Sequence, residues 1–395
     1  MKKMLIDSHE GYIRAALLTD GRLTDLIVDN KNGRSITGNV YLGTVKAILP
    51  SQFAFIDIGQ PKNGFLNAAG DSRRPALHIG QNILVQVRKD PSGDKGASLS
   101  RQMDLTGRLV VLMEEGCGEI GVSHKITDNR ERERLKSIVT NRIPDGFGVI
   151  LRTCCENKDR DEILADLDKQ FAIYKNITEI GVHLKPPALL YQENSLFHDF
   201  VNEDIDEIVV DAPSMVPYAV HEADKYLPGV PVRPHEGPLP LFDYEIERQI
   251  DRALDKKIWL RCGGFLIIEQ TEACVIMDVN TGKYSGRKSH RESVLKTNME
   301  AAAEAAAQIR LRNLSGMIII DFINMESGED THILYDFFSR EIAKDRIKAN
   351  IAGMTELGLM QLTRKKTRES LGRILMRECP NCHGAGYVKN CCVNG

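Results

Sequence analysis

Apolar and polar positions alternate in short runs along the first hundred residues, broken repeatedly by glycine. Ile13 to Leu18, a turn at Asp20-Gly21, and Leu23 to Val28 predict strands within residues 1–34. From Gly38 to Leu105 the texture continues through GNVYLGTVKAI, QFAFIDIG, NGFLNA and NILVQVRKD. Strands this short at this spacing predict a small barrel. Residues 106–187 mix strand-like runs with a helix predicted at 159–175. Pro186-Pro187 resists both helix and central strand, so a boundary is expected there. A strand-like IDEIVVDAP fills 205–213, and the proline-dense stretch from Pro228 to Pro240 is the best linker in the chain.

Beyond that linker the period changes. The pattern predicts a helix from Tyr244 to Lys257, a strand from Phe265 to Val279 and a long helix from Ser289 to Asn313. A strand from Met317 to Ile323 and a helix from Asp336 to Asn350 follow. Such alternation belongs to an α/β domain. Ser289 followed by Glu292 is a capping box for the long helix, and Leu295, Met299, Ala302, Ala306 and Ile309 form its buried stripe. There is no internal repeat and no low-complexity tract.

Composition narrows the class. The 395 residues, 42% hydrophobic and 27% charged, describe a globular chain of about two to four domains. Lys and Arg number 52 against 55 Asp and Glu, a net charge of -3, which excludes a globally basic nucleic-acid binder but not local basic patches. No apolar run approaches the roughly 18 residues of a membrane helix. The start turns polar within a few residues, so no secretory signal is expected. Nine cysteines then point to a reducing cytoplasmic setting, with metal binding or packing rather than disulfides.

The sharpest chemical signal is a pair of strand-end carboxylates. In ACVIMDVNTG, Asp278 and Asn280 share one face while Met277 and Val279 share the other. In MIIIDFINM an apolar strand runs into Asp321. A carboxylate at the end of a buried strand needs a partner or a cation. Two such strands joined by one helix can share Mg²⁺, which takes oxygen ligands and few protein carboxylates. An adjacent Asn suits the orientation of a scissile phosphate. On residues alone, both Asp278 and Asp321 read equally well as caps of turns or of the next helix. The glycine-flanked loop between them carries Lys283, Arg287, Lys288 and Arg291, either a phosphate approach or solvated surface. Arg364, Lys365, Lys366 and Arg368 carry the same two readings; residues 361–378 hold a local excess of +4.

In QFAFIDIG, Phe53, Phe55 and Asp57 share one face and Ala54, Ile56 and Ile58 the other. The aliphatic face is the natural core, so the aromatics are expected outside, with Phe65 after the turn and Lys95 further on. On an OB-type barrel that is a stacking platform for single-stranded bases, although a core Phe is the ordinary alternative. Cys379 and Cys382, in CPNC, form half a zinc site. The other ligands would be Cys391 and Cys392, His383, or the same pair of a second chain; packing is the alternative. Cys117, Cys154, Cys155, Cys262 and Cys274 read as ordinary buried thiols.

Taken in order, these motifs resemble the ribonuclease E/G family over nearly the whole chain. GNVYLGTVKAILPSQFAFIDIG and NGFL resemble its OB barrel, GVILRTC its sensor region, and HEGPLPLFDYEIERQI the approach to its catalytic subdomain. MDVNTGKYSG, RNLSGMIIIDFINM, GLMQLTRKKTRESL and CPNC complete the series.

The resemblance implies a multidomain α/β plus β-barrel architecture. An RNase H-like subdomain (1–34 with 188–237) is interrupted by an OB-fold RNA-binding barrel (35–105) and a 5′-monophosphate sensor region (106–187). A DNase I-like catalytic subdomain (238–378) and a zinc-link with tail (379–395) follow. It implies a Mg²⁺-dependent hydrolytic endoribonuclease acting on single-stranded, A/U-rich RNA in rRNA maturation and mRNA decay, and leaving 5′-phosphate and 3′-hydroxyl ends. By the same resemblance Asp278 and Asp321 hold Mg²⁺ and Asn280 orients the phosphate. Phe55, Phe65 and Lys95 contact RNA. Arg152 and Thr153, assisted by the Val111 amide, take a 5′-monophosphate. Cys379 and Cys382 share one structural Zn²⁺ with a second chain in a homodimer.

Two departures stand out. Only His124-Lys125 occurs where the family is strongly basic after Gly121, which weakens the expectation of strong 5′-end dependence. The chain also stops thirteen residues after Cys382, where the family continues into a small dimer-forming domain. A zinc-linked dimer is therefore expected rather than a tetramer, with an intrachain zinc site through Cys391 and Cys392 as its rival. From other classes, a non-catalytic RNA-binding protein or scaffold, or a Mg²⁺-dependent phosphodiesterase acting on DNA, are the alternatives.

Overall fold

The alternating N-terminal runs fold as a three-strand meander, β1 (Lys2–His9), β2 (Tyr12–Thr19) and β3 (Arg22–Asn30). The β2–β3 turn works because Asp20 and Gly21 both adopt positive φ, the backbone a two-residue hairpin demands. The structure, a computed structural model, describes every residue except 10, 31–34, 51–52, 68–74, 92–94, 115–117, 194, 202, 238–239, 282–289, 326, 356, 383, 385 and 387–395. The chain divides into two compact units: Met1–Val28 with Val209–Ala212 and His235–Gly395, and Asp29–Ile208 with Pro213–Pro234. No helix among the described residues is long and apolar enough to cross a membrane.

In the second unit β4 (Val40–Ile48), β5 (Phe53–Asp57), β6 (Gly64–Asn67), β7 (Asn82–Lys89) and β8 (Ser98–Ser100) close into a five-strand, OB-like barrel through pairing of β4 with β7. Its interior is Val45, Ala54, Ile56, Leu66, Val85 and Leu99. Closure needs glycine at position 64, where a Cβ would lie 2.4 Å from Leu99 Cδ1.

A second sheet follows, from β9 (Asp104–Thr106), β10 (Val110–Glu114), β11 (Ile120–Val122) and, after α1 (Asn129–Val139), β12 (Phe147–Leu151). α2 (Arg160–His183) covers it with Ile163, Leu167 and Ile177. The helix predicted at 159–175 thus runs eight residues further, because Ile177 continues its apolar stripe. α1 escapes the apolar pattern because NRERERLKSIV buries only Leu135, Ile138 and Val139. Asp128, accepting from Arg130 N–H at 2.9 Å, caps it. β13 (Ala188–Tyr191) then pairs with β4, and α3 (Ser195–His198), β14 (Glu207–Val210), α4 (Val216–Tyr226) and β15 (Val232–Pro234) follow. The chain passes to the first unit at Pro234–His235, inside the proline-dense stretch.

The first unit is completed by α5 (Tyr244–Leu254), β16 (Lys257–Trp259), β17 (Phe265–Gln270), β18 (Cys274–Asn280), α6 (His290–Leu311), β19 (Gly316–Asp321), α7 (Gly328–Ala343), β20 (Ala349–Met354), β21 (Leu359–Arg364) and α8 (Leu371–Leu375). Their sheet has the order β16-β17-β18-β19-β21-β20. Only β18 and β19 in it are parallel, joined across α6. Ala301, Ala305 and Ile309 of α6 and Leu334 and Phe338 of α7 share one core with Val275, Met277, Ile318 and Ile320. One sheet face is therefore covered, while the other presents Ile276 and Met317, 40% and 46% exposed.

Four expectations are corrected here. The run from Phe265 to Val279 is a hairpin, since the polar cluster around Thr271 turns the chain and Thr271 N–H bonds Cys274 O at 2.9 Å. The helix starting at Tyr244 stops at Leu254, because Lys257 enters β16. The long helix ends at Leu311, because Asn313 takes φ 50° and Leu314 N–H closes onto Ile309 O. The helix expected at 336–350 spans Gly328–Ala343 instead, and Ala349–Met354 pairs with β21 as a strand.

The basic cluster splits as well. Arg364 is 2% exposed and turned inward. Its Nε meets Asp345 Oδ2 at 2.7 Å, and its Nη1 meets Asn313 Oδ1 at 2.7 Å and Leu314 O at 2.9 Å. Removing one member of a buried pair strands the other charge. Arg364→Ala should therefore cost about 3–5 kcal/mol in urea unfolding, and the double change Asp345→Leu/Arg364→Met clearly less. Equal losses in both proteins would show that the pair is not what holds this corner.

Candidate active site

The site grows out of the parallel pairing of β18 and β19. Its register sets Asp278 opposite Asp321, one inter-strand spacing apart, about 4.8 Å, and on the same face. That face is the one the helices leave open: Asp278 is half-buried and Asp321 exposed. The carboxylates are flanked by Ile267 on β17 and Leu359 on β21, so apolar neighbours border the charge. Asn280, two residues along β18, donates from Nδ2 to Asp278 Oδ2 at 2.8 Å. Among the described residues neither carboxylate has a Lys or Arg partner. Two adjacent carboxylates without a cationic side-chain partner have the donor chemistry to hold a hard cation. Among the described residues no cluster of three or more His, Cys, Asp or Glu side chains forms a metal site. The arrangement is thus a two-carboxylate one, which fits a hard cation that keeps much of its water.

Two residues that escape a motif reading support this geometry. Asn298, fully buried on α6, donates to Ile323 O at 2.8 Å and accepts from Ile323 N–H at 3.0 Å. It pairs with the backbone two residues beyond Asp321 as a strand would. An Asn inside an alanine-rich helix, where it costs helix propensity, was the available signal. Gly264 is the other: a Cβ there would lie 2.7 Å from Asn280 O.

The loop from Gly282 to Ser289, with Lys283, Arg287 and Lys288, lies outside the described residues. Arg291 is committed elsewhere, gripping Asp330 through Nε at 2.7 Å and Nη2 at 2.8 Å. This bond holds the Asp330 carboxyl below its ordinary range. Of the expected helix stripe, Ala302, Ala306 and Ile309 are buried and Leu295 and Met299 half-buried.

On the barrel, Phe53, Phe55 and Phe65 are half-exposed, and Phe65 meets both others, with ring centroids 4.9 Å apart for Phe53–Phe65 and 6.1 Å for Phe55–Phe65. Ala54, Ile56 and Ile58 point inward. Asp57 meets Lys46 Nζ at 3.2 Å, and Lys95 is exposed ahead of β8. In the second sheet Arg152 follows β12. Its Nη1 donates to Gly107 O at 2.8 Å and burial pushes its guanidinium down. Thr153 Oγ1 lies 2.9 Å from Ser123 Oγ. Val111 sits on β10 between β9 and β12, opposite Ile150. Asp166 of α2 accepts from Leu109 N–H at 2.8 Å and Val110 N–H at 3.0 Å, fixing the loop beside Arg152.

Cys379 is exposed and Cys382 half-buried. The backbone N–H groups of Cys382 and Asn381 and the Cys382 thiol draw the Cys379 thiol below its ordinary value. Cys117, Cys391, Cys392 and His383 lie outside the described residues. Burial raises the Cys155 thiol to about 12, as befits an inert core cysteine, while Cys154, Cys262 and Cys274 are half-buried.

The profile of the Ribonuclease E/G family matches residues 104–367. Ribonuclease G of Escherichia coli K12 is 35% identical over 98% of this chain and 84% of its own length, as is ribonuclease G of Haemophilus influenzae. Ribonuclease E of a Nostoc species is 35% identical over 98% of this chain and 59% of its own. A family match over residues 104–367, together with relatives 35% identical over 98% of the chain, places the chain in the ribonuclease E/G family.

Proposed function

We propose that this endoribonuclease of the ribonuclease E/G family cleaves single-stranded, A/U-rich RNA by Mg²⁺-dependent hydrolysis, leaving 5′-phosphate and 3′-hydroxyl ends, in ribosomal RNA maturation and mRNA decay. The observation that carries the reading is the pairing of Asp278 with Asp321 beside Asn280 on an open sheet face. Asp278 and Asp321 hold the cation. When bound, Mg²⁺ supplies charge neutralisation at the scissile phosphate. Asn280, steered by its bond to Asp278, orients a phosphate oxygen. Catalysis here is chiefly positioning and electrostatics.

Phe55 and Phe65 seat unpaired bases and Lys95 a phosphate, because aromatic faces accept any base. Arg152 and Thr153, with the Val111 amide, hold a 5′-monophosphate, which Arg matches with its fork of donors. Residues 1–34 with 188–237 act as an RNase H-like subdomain, 35–105 as the RNA-binding barrel, 106–187 as the sensor region and 238–378 as a DNase I-like catalytic subdomain. Cys379 and Cys382 of two copies share one Zn²⁺, making a cytoplasmic homodimer through residues 379–395.

Asp321→Asn should lower cleavage of an internally labelled A/U-rich strand at least about 100-fold, with RNA affinity by fluorescence anisotropy within about twofold. Undiminished cleavage in Mg²⁺, or cleavage that survives EDTA, would remove the two-carboxylate reading. A matched DNA strand should not compete. For the sensor, a 5′-monophosphorylated substrate should be cut faster than its 5′-hydroxyl twin, and Arg152→Ala should equalise them; equal rates in the unaltered enzyme refute the pocket. For the zinc site, native mass spectrometry should find a dimer with half a zinc per chain, lost in Cys379→Ser. One zinc per chain would mean a local site with Cys391 and Cys392.

A further inference from the structure

Trp259 is the single tryptophan of the chain, and it is 65% exposed. It ends β16, the three-residue edge strand of the α/β sheet. Register shows where it points. Trp259 is opposite Phe265, and Phe265 is opposite Asn280, so the three lie in one row across adjacent strands and share the open face. The neighbouring row is Lys257, Ile267, Asp278 and Asp321. An aromatic pair and a lysine thus continue the carboxylate site outward, with Trp259 two strand spacings, about 10 Å, from Asn280.

The three side chains form a unit. The Trp259 and Phe265 rings meet edge to face, 5.3 Å between centroids at 63°. Lys257 Nζ lies 4.0 Å from the Trp259 ring centre and 3.7 Å from that of Phe265. Its ammonium has no carboxylate partner among the described residues. Rings that stack bases, beside a cation that meets phosphate, are the recognition chemistry of single-stranded nucleic acid.

We propose that Trp259, Phe265 and Lys257 form a stacking subsite that seats a base of the single-stranded RNA immediately beside the scissile phosphate. The subsite rests on the assignment of Asp278, Asn280 and Asp321 as the cleavage centre. A base held there fixes the strand's path across the sheet, so that the phosphate bound at Asn280 belongs to a neighbouring nucleotide. Recognition through a ring face is tolerant of base identity, so the subsite positions the strand rather than reading its sequence.

The lone tryptophan makes the test direct. Titrating the full-length protein in EDTA with a 20-nucleotide A/U single strand should quench tryptophan emission saturably. In Mg²⁺, Trp259→Ala should raise KM about tenfold with kcat little changed, and Trp259→Phe should restore most of the loss. A substrate with one defined cleavage site and an abasic nucleotide next to it should be a poorer substrate for the unaltered enzyme but not for Trp259→Ala. Normal cleavage with no quenching and an unchanged KM in Trp259→Ala overturns the subsite and leaves the nuclease reading standing. No RNA cleavage by the unaltered protein overturns that reading instead. Emission that shifts with protein concentration and ignores RNA would mean that a second copy covers this face, which also refutes the subsite.

Discussion

Everything at the candidate site follows from one pairing, the parallel alignment of β18 with β19 in a sheet whose other strands run antiparallel. An antiparallel pair needs only a tight turn, but a parallel pair needs a crossover long enough to return to the same end of the sheet. α6 is that crossover. Its alanines, 301, 302, 305 and 306, let it lie close on the strands, and Asn298 reaches over to grip the backbone beyond Asp321. The helix thus sets the register and secures the end of β19, and the register brings two like charges together. Electrostatics opposes that juxtaposition, so packing on the covered face must impose it.

The two faces of this sheet divide the work. The covered face carries the stabilising contacts: Val275, Met277, Ile318 and Ile320 against α6 and α7. The open face carries the carboxylates, Asn280 and the aromatic row that extends from it. A sheet packed on one side only can keep a charged, wet face without losing its core, because alternate residues of one strand serve opposite needs. The barrel repeats this division, with Ala54, Ile56 and Ile58 inside and Phe53, Phe55 and Phe65 at its surface.

Charge is distributed by function rather than by sum. Arg364, adjacent in sequence to two exposed lysines, is consumed in a buried bond to Asp345. Arg291 is spent on Asp330, and Arg310 and Arg346 converge on the buried Asp25, tying the N-terminal meander to the α/β sheet within one unit. Of the basic cluster seen in the sequence at 364–368, Arg364 is therefore internal cement, while Lys365 and Lys366 stay exposed. A net charge of -3 is compatible with an RNA substrate when rings and a few placed cations, rather than a basic surface, hold the strand.

The alternation of residues by itself determined the barrel strands, their inside and outside, the α/β texture of the C-terminal half and the candidate carboxylates, because period-two burial and strand-end acids are local properties. The motifs in their order determined the family. Tertiary structure alone decided that Asp278 stands opposite Asp321, since register across α6 is a long-range contact that no spacing encodes. It alone decided that 265–279 is a hairpin and 349–354 a strand, because partner strands supply the hydrogen bonds that local propensity leaves undecided. It also decided which cations face water. Lys365 and Arg364 are neighbours of the same charge in sequence, yet the pleat sends one to solvent and the other to Asp345.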